Sequence, residues 1–411
     1  MPNYDPTLRA GDQALVREIN LSLILRHLHA QPQLSRAQLA EITGLNKSTV
    51  SSLVQELLRL GFVHETGFSS SGVGRPSMML QLNPEAGTIV SGEIGVDFIT
   101  VIVTNFNADV LWHHHEETSG PDGQSATITR VLDLLRQAVT ASQEAHTGDS
   151  RLLGMAVGVP GLIDQETGLL LLAPNLRWRD VRLRATLEKA FPDVPVFVEN
   201  EANMAALGEH LFGVAQGYDE VLFISAGVGL GGAIVREGRL HKGKTGFAGE
   251  FGHMTMDPNG LPCNCGNRGC WETLVSQSAV FRTIRQAVAA GQTTNLGDQL
   301  SIPAVADAAR TGDAVALAAL ESAGRHLGIG AASLVNALNP DLLVFGGILS
   351  NAGDILLPHI EKELAQRALP WTQQAVDVRL AQHGSDATVM GGVAMVVQTI
   401  LSTPGRYAPG G

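Results

Sequence analysis

Apolar residues at helical spacing open the chain. Leu15, Ile19, Leu23 and Ile24 predict one apolar face on a first helix over roughly 12–30, ended by Pro32. Ser35, with Gln38 three residues later, has the form of a capping box and predicts a second helix at about 36–43, closed by Gly44. A third starts at Asn46 or Lys47, turns Val50, Leu53, Val54, Leu57 and Leu58 inward, and stops at Gly61. Two short helices joined by a tight Gly turn make a helix-turn-helix unit. The outward positions of the third helix are Lys47, Ser48, Thr49, Ser51, Ser52 and Gln55. Short hydroxyls and an amide replace the Glu/Lys mixture usual on a solvated helix. At a helix N-terminus they suit base edges and phosphates. Phe62–Val63 and Met78–Leu82 then flank Gly67–Ser71 and Gly72-Val-Gly74-Arg75-Pro76. That pattern predicts a β-wing whose tip arginine, Arg75, could enter a minor groove. Pro84 marks the expected end of this head.

Beyond it the pattern changes to strands and longer helices. Thr88–Ile94, Phe98–Asn105 and Asp109–Trp112 are β-rich, Ile128–Gln143 is helical, and Gly154–Val159 and Val196–Val198 are strands. A second series starts at Glu220, with strands Val221–Ser225, Gly232–Arg236 and Leu342–Phe345. Two similar series predict two lobes with a cleft between them. Gly227, Gly229, Gly231 and Gly232 fall between two strands, where glycines let a turn approach a ligand. A plain tight hairpin would read the same way. Gly238–Thr245 matches GxxxxGK[ST], but nothing after it starts a helix, so it is not read as a phosphate loop.

Charge does not point to nucleic acid. Of a net −12, none belongs to residues 1–86, which hold seven basic and seven acidic side chains. An acidic body repels DNA, so the case for DNA rests on the head's pattern alone. At 44% hydrophobic and 17% charged, a largely disordered chain is excluded. No uninterrupted apolar run approaches the ~18–20 residues of a membrane span, and polar Met1–Asp12 does not read as a secretory signal. A cytoplasmic protein is expected.

The chain has three cysteines, all in one short stretch: His253-x9-Cys263-x-Cys265-x4-Cys270. One imidazole and three thiolates form a closed tetrahedral set suited to structural zinc. The run His113-His114-His115 is a weaker metal candidate, because neighbours on a strand point to opposite faces.

Gly249-Glu250-Phe-Gly-His253 followed by Cys263-Asn-Cys265-Gly-Asn-Arg-Gly-Cys270-Trp-Glu272 resembles the ROK family of repressors, open reading frames and kinases. Glu199-Asn200-Glu201-Ala202-Asn203, the Gly227–Gly232 loop and Phe345-Gly346-Gly347 support the likeness, which covers roughly 88–400. With the head, the chain is most similar to the xylose-repressor type. The resemblance implies an α/β fold: an N-terminal winged helix-turn-helix, then a two-lobed actin-like, ribonuclease-H-like domain. It implies that Asn200, Glu250, His253 and Glu272 bond sugar hydroxyls, with Glu201 beside them where kinases carry an Asp base.

Two departures argue against phosphoryl transfer. The kinase phosphate motif here reads Glu93-Ile-Gly95-Val-Asp97-Phe98, placing acid where phosphate would sit. Glu201 adds a methylene that moves the carboxylate by ~1 Å. The expected protein is therefore a sugar-responsive regulator, most simply a repressor of carbohydrate-utilisation genes, and not an enzyme. Expected domains are 1–84, a first lobe 85–205 with a returning helix at about 386–405, and a second lobe 206–385. Expected partners are operator DNA, a monosaccharide and a second copy of the chain. An active kinase and a regulator answering to a protein partner are the rivals.

Overall fold

In the computed structural model, residues 13–68, 77–118, 123–144 and 151–407 are described. The head begins with α1 (Gln13–Ala30), a two-residue strand β1 (Leu34–Ser35), α2 (Arg36–Thr43) and α3 (Lys47–Arg59). The capping box forms: the Ser35 hydroxyl accepts from the Gln38 amide at 3.3 Å, and the Gln38 side chain accepts from the Ser35 amide at 2.9 Å. Gly44 ends α2 at φ +70°, a conformation that costs a side chain but not glycine. Asn46 caps α3 by accepting from the Thr49 amide at 2.8 Å. Val50, Leu53, Val54 and Leu57 are buried, as the spacing predicts.

The first helix corrects the prediction. Its buried residues are Leu21, Ile24, Leu25 and Leu28, whereas Leu15 and Ile19 are 52% and 57% exposed. Arg17 in the first half of α1 pairs with Glu56 of α3, but the apolar side chains Leu15, Val16 and Ile19 there stay exposed and pack against nothing among the described residues. Strands β2 (Val63–Phe68) and β3 (Met78–Leu82) pair antiparallel as the wing, with β1 added outside β3. The wing tip with Arg75 lies outside the described residues.

The first lobe contains β4 (Thr88–Ile94), β5 (Phe98–Asn105), β6 (Val110–Glu117), α4 (Gly123–Glu144), β7 (Leu152–Val159), β8 (Leu162–Ile163), β9 (Leu170–Ala173), β10 (Trp178–Val181), α5 (Leu183–Ala190), β11 (Val196–Asn200) and α6 (Glu201–Phe212). Its main sheet runs β11-β7-β4-β5-β6. All of β4 is buried, its polar Thr88, Ser91 and Glu93 included. Edge strand β6 alternates in and out, and its histidines go separate ways: His113 to Asp386, His114 to Glu116, His115 to Thr100. The small sheet β8-β9-β10 was not predicted from the sequence.

The second lobe contains β12 (Glu220–Ala226), β13 (Leu230–Arg236), β14 (Arg239–Leu240), α7 (Glu272–Val275), α8 (Gln277–Ala289), α9 (Ile302–Arg310), α10 (Ala314–Leu338), β15 (Leu342–Gly346), α11 (Gly353–Arg367), α12 (Pro370–Ala375) and β16 (Asp377–Leu380). Its sheet, β14-β13-β12-β15-β16, repeats the first: an antiparallel meander of three strands, then two parallel strands beside the meander's first. The P-loop-like stretch after β13 forms β14 and an open loop, with no helix.

Helix α13 (Ala387–Ser402) returns to the first lobe and packs on α6, β4 and β7. With the turn before it, Gly384–Ser402, it is long and apolar enough to cross a membrane by length and composition, but most of it is buried inside the protein, as in a core helix. It also joins head to lobe. One apolar cluster runs from Leu21, Ile24 and Leu57 through Phe62 and Phe106 to Val393 and Ile400. At the expected boundary, Pro84–Ala86 is one 3-10 turn. Beside it the Arg151 guanidinium donates to the carbonyls of Leu60 (2.9 Å), Ala86 (3.0 Å) and Tyr407 (2.6 Å), and lies 4.7 Å from the centre of the Phe62 ring.

Glycines make the α6–α13 crossing close. A Cβ on Gly391 would meet the Met204 carbonyl, and one on Gly208 would meet the backbone of Ala387 and Gly391. Gly391→Ala is therefore expected to cost ~1–3 kcal/mol through overpacking. Urea unfolding should show a lowered midpoint with an unchanged slope.

Candidate functional site

The tightest cluster of chemistry lies between β14 and α7. His253 ends a 3-10 turn, Phe251–His253. Cys263 and Cys265 sit in the following loop, and Cys270 immediately precedes Trp271 and α7. Gly266 and Gly269, at φ +97° and +62°, supply the tight reversals between the cysteines. The Cys263 amide donates to Asn267 O at 2.8 Å, and Gly266 N to Cys263 O at 3.0 Å, which draws the sulfurs together. The four donor atoms lie within 4.8 Å of one another. His253 Nδ1 is 3.7 Å from Cys263 Sγ, and Cys265 Sγ is 3.7 Å from Cys270 Sγ. A tetrahedron with vertices ~2.3 Å from its centre has edges of ~3.8 Å, so the set fits a tetrahedral thiolate–imidazole metal site. Burial and the neighbouring Glu272 push the Cys263 thiol up, so a thiolate here needs a cation beside it.

The ring nitrogen turned away from the sulfurs, Nε2, is 3.8 Å from Glu250. His253 Nδ1 is 3.9 Å from Glu272, whose Oε1 accepts from Cys263 Sγ at 2.8 Å. Glu250, His253 and Glu272 thus form one chain from the metal-type cluster to the cleft. A pocket between the lobes is lined by Glu250, Gly246 and Phe247 of the second lobe and by Gly161, Gln165, Glu199, Asn200 and Asn203 of the first. Asn200 and Glu250 therefore face each other across it.

Asn200 also has a local task. Its Oδ1 caps α6, accepting from the Ala202 and Asn203 amides at 2.8 and 3.2 Å, and its Nδ2 donates to Gly161 O at 3.1 Å. Glu199, Asn203 and Gln165 were not assigned from the sequence. The first two lay inside a motif already quoted, and the burial of Glu199 (1% exposed) was the missing signal.

Glu201 sits beneath the pocket wall, where one carboxylate oxygen is buried without a hydrogen-bond partner; the same holds for Glu93. Burial, then the Glu201 charge, push Glu93 up to about 8, against a Thr388 hydrogen bond. Burial raises Glu201 to about 7, helped by Glu250 and Glu199. Near neutral pH Glu93 is therefore largely protonated. Of the two acids in the motif, Glu93 is buried in β4 and Asp97 is exposed in the β4–β5 turn.

On the head, Lys47, Ser48, Ser51, Ser52 and Gln55 are exposed along one side of α3, and Thr49 is half-buried. Two hydroxyls are partly committed: Ser48 donates to Asn46 at 2.7 Å and Ser51 to the Lys47 carbonyl at 2.8 Å.

Residues 89–399 match the ROK family model, and residues 22–72 match that of the MarR family. The chain belongs to the ROK family. It is 33% identical over 403 residues to a xylose repressor of Caldicellulosiruptor bescii, covering 97% of this chain and all of the relative. Among solved structures, a ROK family transcriptional regulator, a homologue of the Escherichia coli MLC protein, superposes with a TM-score of 0.82 at 28% identity, covering 94% of this chain and 97% of the other. A ROK glucokinase from Streptomyces griseus, solved with glucose and AMPPNP, matches with a TM-score of 0.66 at 30% identity, covering 75% of this chain and 99% of the kinase. The ROK kinase fold thus accounts for the body and leaves the head over.

The buried acids set a pH dependence. The folded chain keeps a proton on Glu93 up to about pH 8, whereas the unfolded chain releases it near 4.5. This contribution is full below about 4.5 and is lost as pH rises toward 8. Glu93→Gln keeps the neutral form, so its melting temperature relative to wild type should rise from pH 5 to pH 8. An equal difference at both pH values would exclude the buried proton.

Proposed function

We propose that this chain is a sugar-responsive transcriptional repressor acting on carbohydrate-utilisation genes in the cytoplasm. The observation that carries this reading is the continuity of the match. A head of helix-turn-helix type and a two-lobed ROK body lie in one chain, and a regulator of the same family aligns over both. The proposed units are the head 1–84, a first lobe 85–205 completed by the helix at about 386–405, and a second lobe 206–385.

In this reading Asn200, Glu201, Glu250, His253 and Glu272 receive the sugar. Carboxylates and an imidazole pair several hydroxyls at once, and a ring fixed through Nδ1 offers Nε2 to the ligand. His253, Cys263, Cys265 and Cys270 would hold one zinc ion, whose chemistry is structural: it sets the orientation of His253. Lys47, Ser48, Thr49, Ser51, Ser52, Gln55 and the wing's Arg75 meet DNA. Because α13 starts beside Glu93 and Glu201 and ends beside α1, closing the lobes shifts the head as a body. One head reads too few base pairs to select a site, so two copies bind a palindromic operator. Asp97 and Glu201, in place of the kinase pattern, support binding without phosphoryl transfer.

Metal analysis of protein prepared without chelator should give about one zinc per chain. Cys265→Ser should lose it, with a lower melting temperature. Lys47→Ala should weaken binding to all DNA sequences and flatten the salt dependence by about one phosphate contact. Gln55→Ala should instead relax preference at one base pair.

Glu250→Ala should weaken the sugar by ~10–150-fold, as expected for a lost bond to a charged group. Operator binding without sugar should persist in that variant, read by fluorescence anisotropy. Turnover of a sugar with ATP at ~1 s⁻¹ or faster would instead establish the kinase reading.

A further inference from the structure

We propose that Lys242 is a positioning residue of the ligand cleft: it crosses from the second lobe to the first, where its ammonium pairs with Glu199 and fixes the loop that delivers Glu250. The proposal rests on the cleft reading above, but its first test does not need a ligand.

The observations come from both lobes. Lys242 lies in the loop after β14, and Glu199 lies at the end of β11 in the first lobe. The Lys242 ammonium contacts both the Glu199 carboxylate and the Gln165 side-chain oxygen. Glu199 is 1% exposed and also accepts from the Asn200 amide at 2.9 Å, Asn203 Nδ2 at 3.0 Å and Gln165 Nε2 at 3.3 Å. A carboxylate this deep is stable as an anion only with a cation and several donors around it. Lys242 is that cation, and Asn200 and Asn203 are the first residues of the pocket wall.

The backbone of Lys242 has a second task. Its carbonyl accepts from the Ala248 amide at 3.1 Å and closes residues 242–248 into a ring. Gly243 and Gly246 turn inside that ring at φ +66° and +92°. Gly249 and Glu250 leave it directly. One residue therefore anchors the ring's exit through its backbone and ties the ring to the opposite lobe through its side chain. Opening the cleft must break this pair and strand a buried carboxylate. While the pair holds, the loop and the Glu199–Asn203 wall stay together. Lys244, the lysine at the P-loop-like position, is exposed and has no ion pair among the described residues.

The test compares Lys242→Met, Lys242→Arg and the double variant Lys242→Met/Glu199→Gln with the wild type, as full chains. Amide hydrogen exchange without ligand comes first. Lys242→Met should raise exchange across residues 241–250 and 199–203 while leaving Arg36–Arg59 of the head unchanged. Lys242→Arg should restore protection. Unchanged exchange at 241–250 in Lys242→Met would overturn the proposal.

Should Lys242→Met fail to fold, the double variant decides. It removes the stranded charge and should fold, and a loop still protected in it would equally overturn the proposal. Calorimetry with D-xylose is the second arm. Affinity should fall about tenfold or more in Lys242→Met and recover in Lys242→Arg. A wild type that binds no D-xylose counts against that sugar in the functional reading, and exchange alone then decides the role of Lys242.

Discussion

The close crossing of α6 and α13 is the constraint on which the rest of the molecule depends. The last helix of the chain completes the core of the first lobe, and it can do so only because Gly208 and Gly391 bring two backbones together. Gly392 extends the same contact to Ser91 and Ala156 under the sheet. Nothing larger fits, since interiors are packed to crystal-like density. The same helix then supplies Val393, Val397 and Ile400 to an apolar cluster that includes head residues Leu21, Leu25 and Leu57. Head and lobe therefore share a core. A head sharing a core with its lobe cannot swing freely on a linker, and an effector's influence must reach it as rigid-body motion.

Three glutamates near the cleft, Glu93, Glu199 and Glu201, are stabilised in different ways. Glu199 is paired with the Lys242 ammonium and surrounded by donors. Glu93 and Glu201 each leave an oxygen unpartnered and answer burial by holding protons. An acid held by a cation and several donors is rigid and suits a wall that ties two lobes. A protonated acid can donate as well as accept, and in the proposed reading Glu201 would use both capacities toward a sugar hydroxyl. The acid motifs alone did not separate these fates, because ionisation depends on burial and neighbours that sequence spacing does not specify.

Local rules account for what was legible. The capping box at Ser35–Gln38, the Gly44 stop, the Val50–Leu57 face and the cysteine spacing each depend on residues within a few positions, so they could be read directly. On the first helix Ile24 was read correctly as buried, but Leu15 and Ile19 were not, because which turns find partners in α3, β3 and α13 is not fixed by local spacing. The β8–β10 sheet was missed since strands of two to four residues carry too little periodicity to register. Lys242 was noticed only as part of a false phosphate-loop match. Its meaning required Glu199, 43 residues earlier, to be seen across the cleft.

The head's charges limit how it can use DNA. Arg17 pairs with Glu56 and Arg36 with Glu65, so two of its cations are already engaged. On the exposed side of α3, Lys47 is the one cationic side chain among the residues assigned to DNA there, and the remainder are neutral hydroxyls and an amide. Phosphate contacts supply most of a DNA-binding protein's affinity, and one such lysine supplies little. The rest of the chain carries the net −12 and adds repulsion. A head with few phosphate contacts gains useful affinity when a second head is held at a fixed distance, since the second contact is then intramolecular. In such an arrangement a small change in spacing is costly to binding. A rigid head that shares its core with an effector lobe is the form in which closing that lobe changes the spacing most directly.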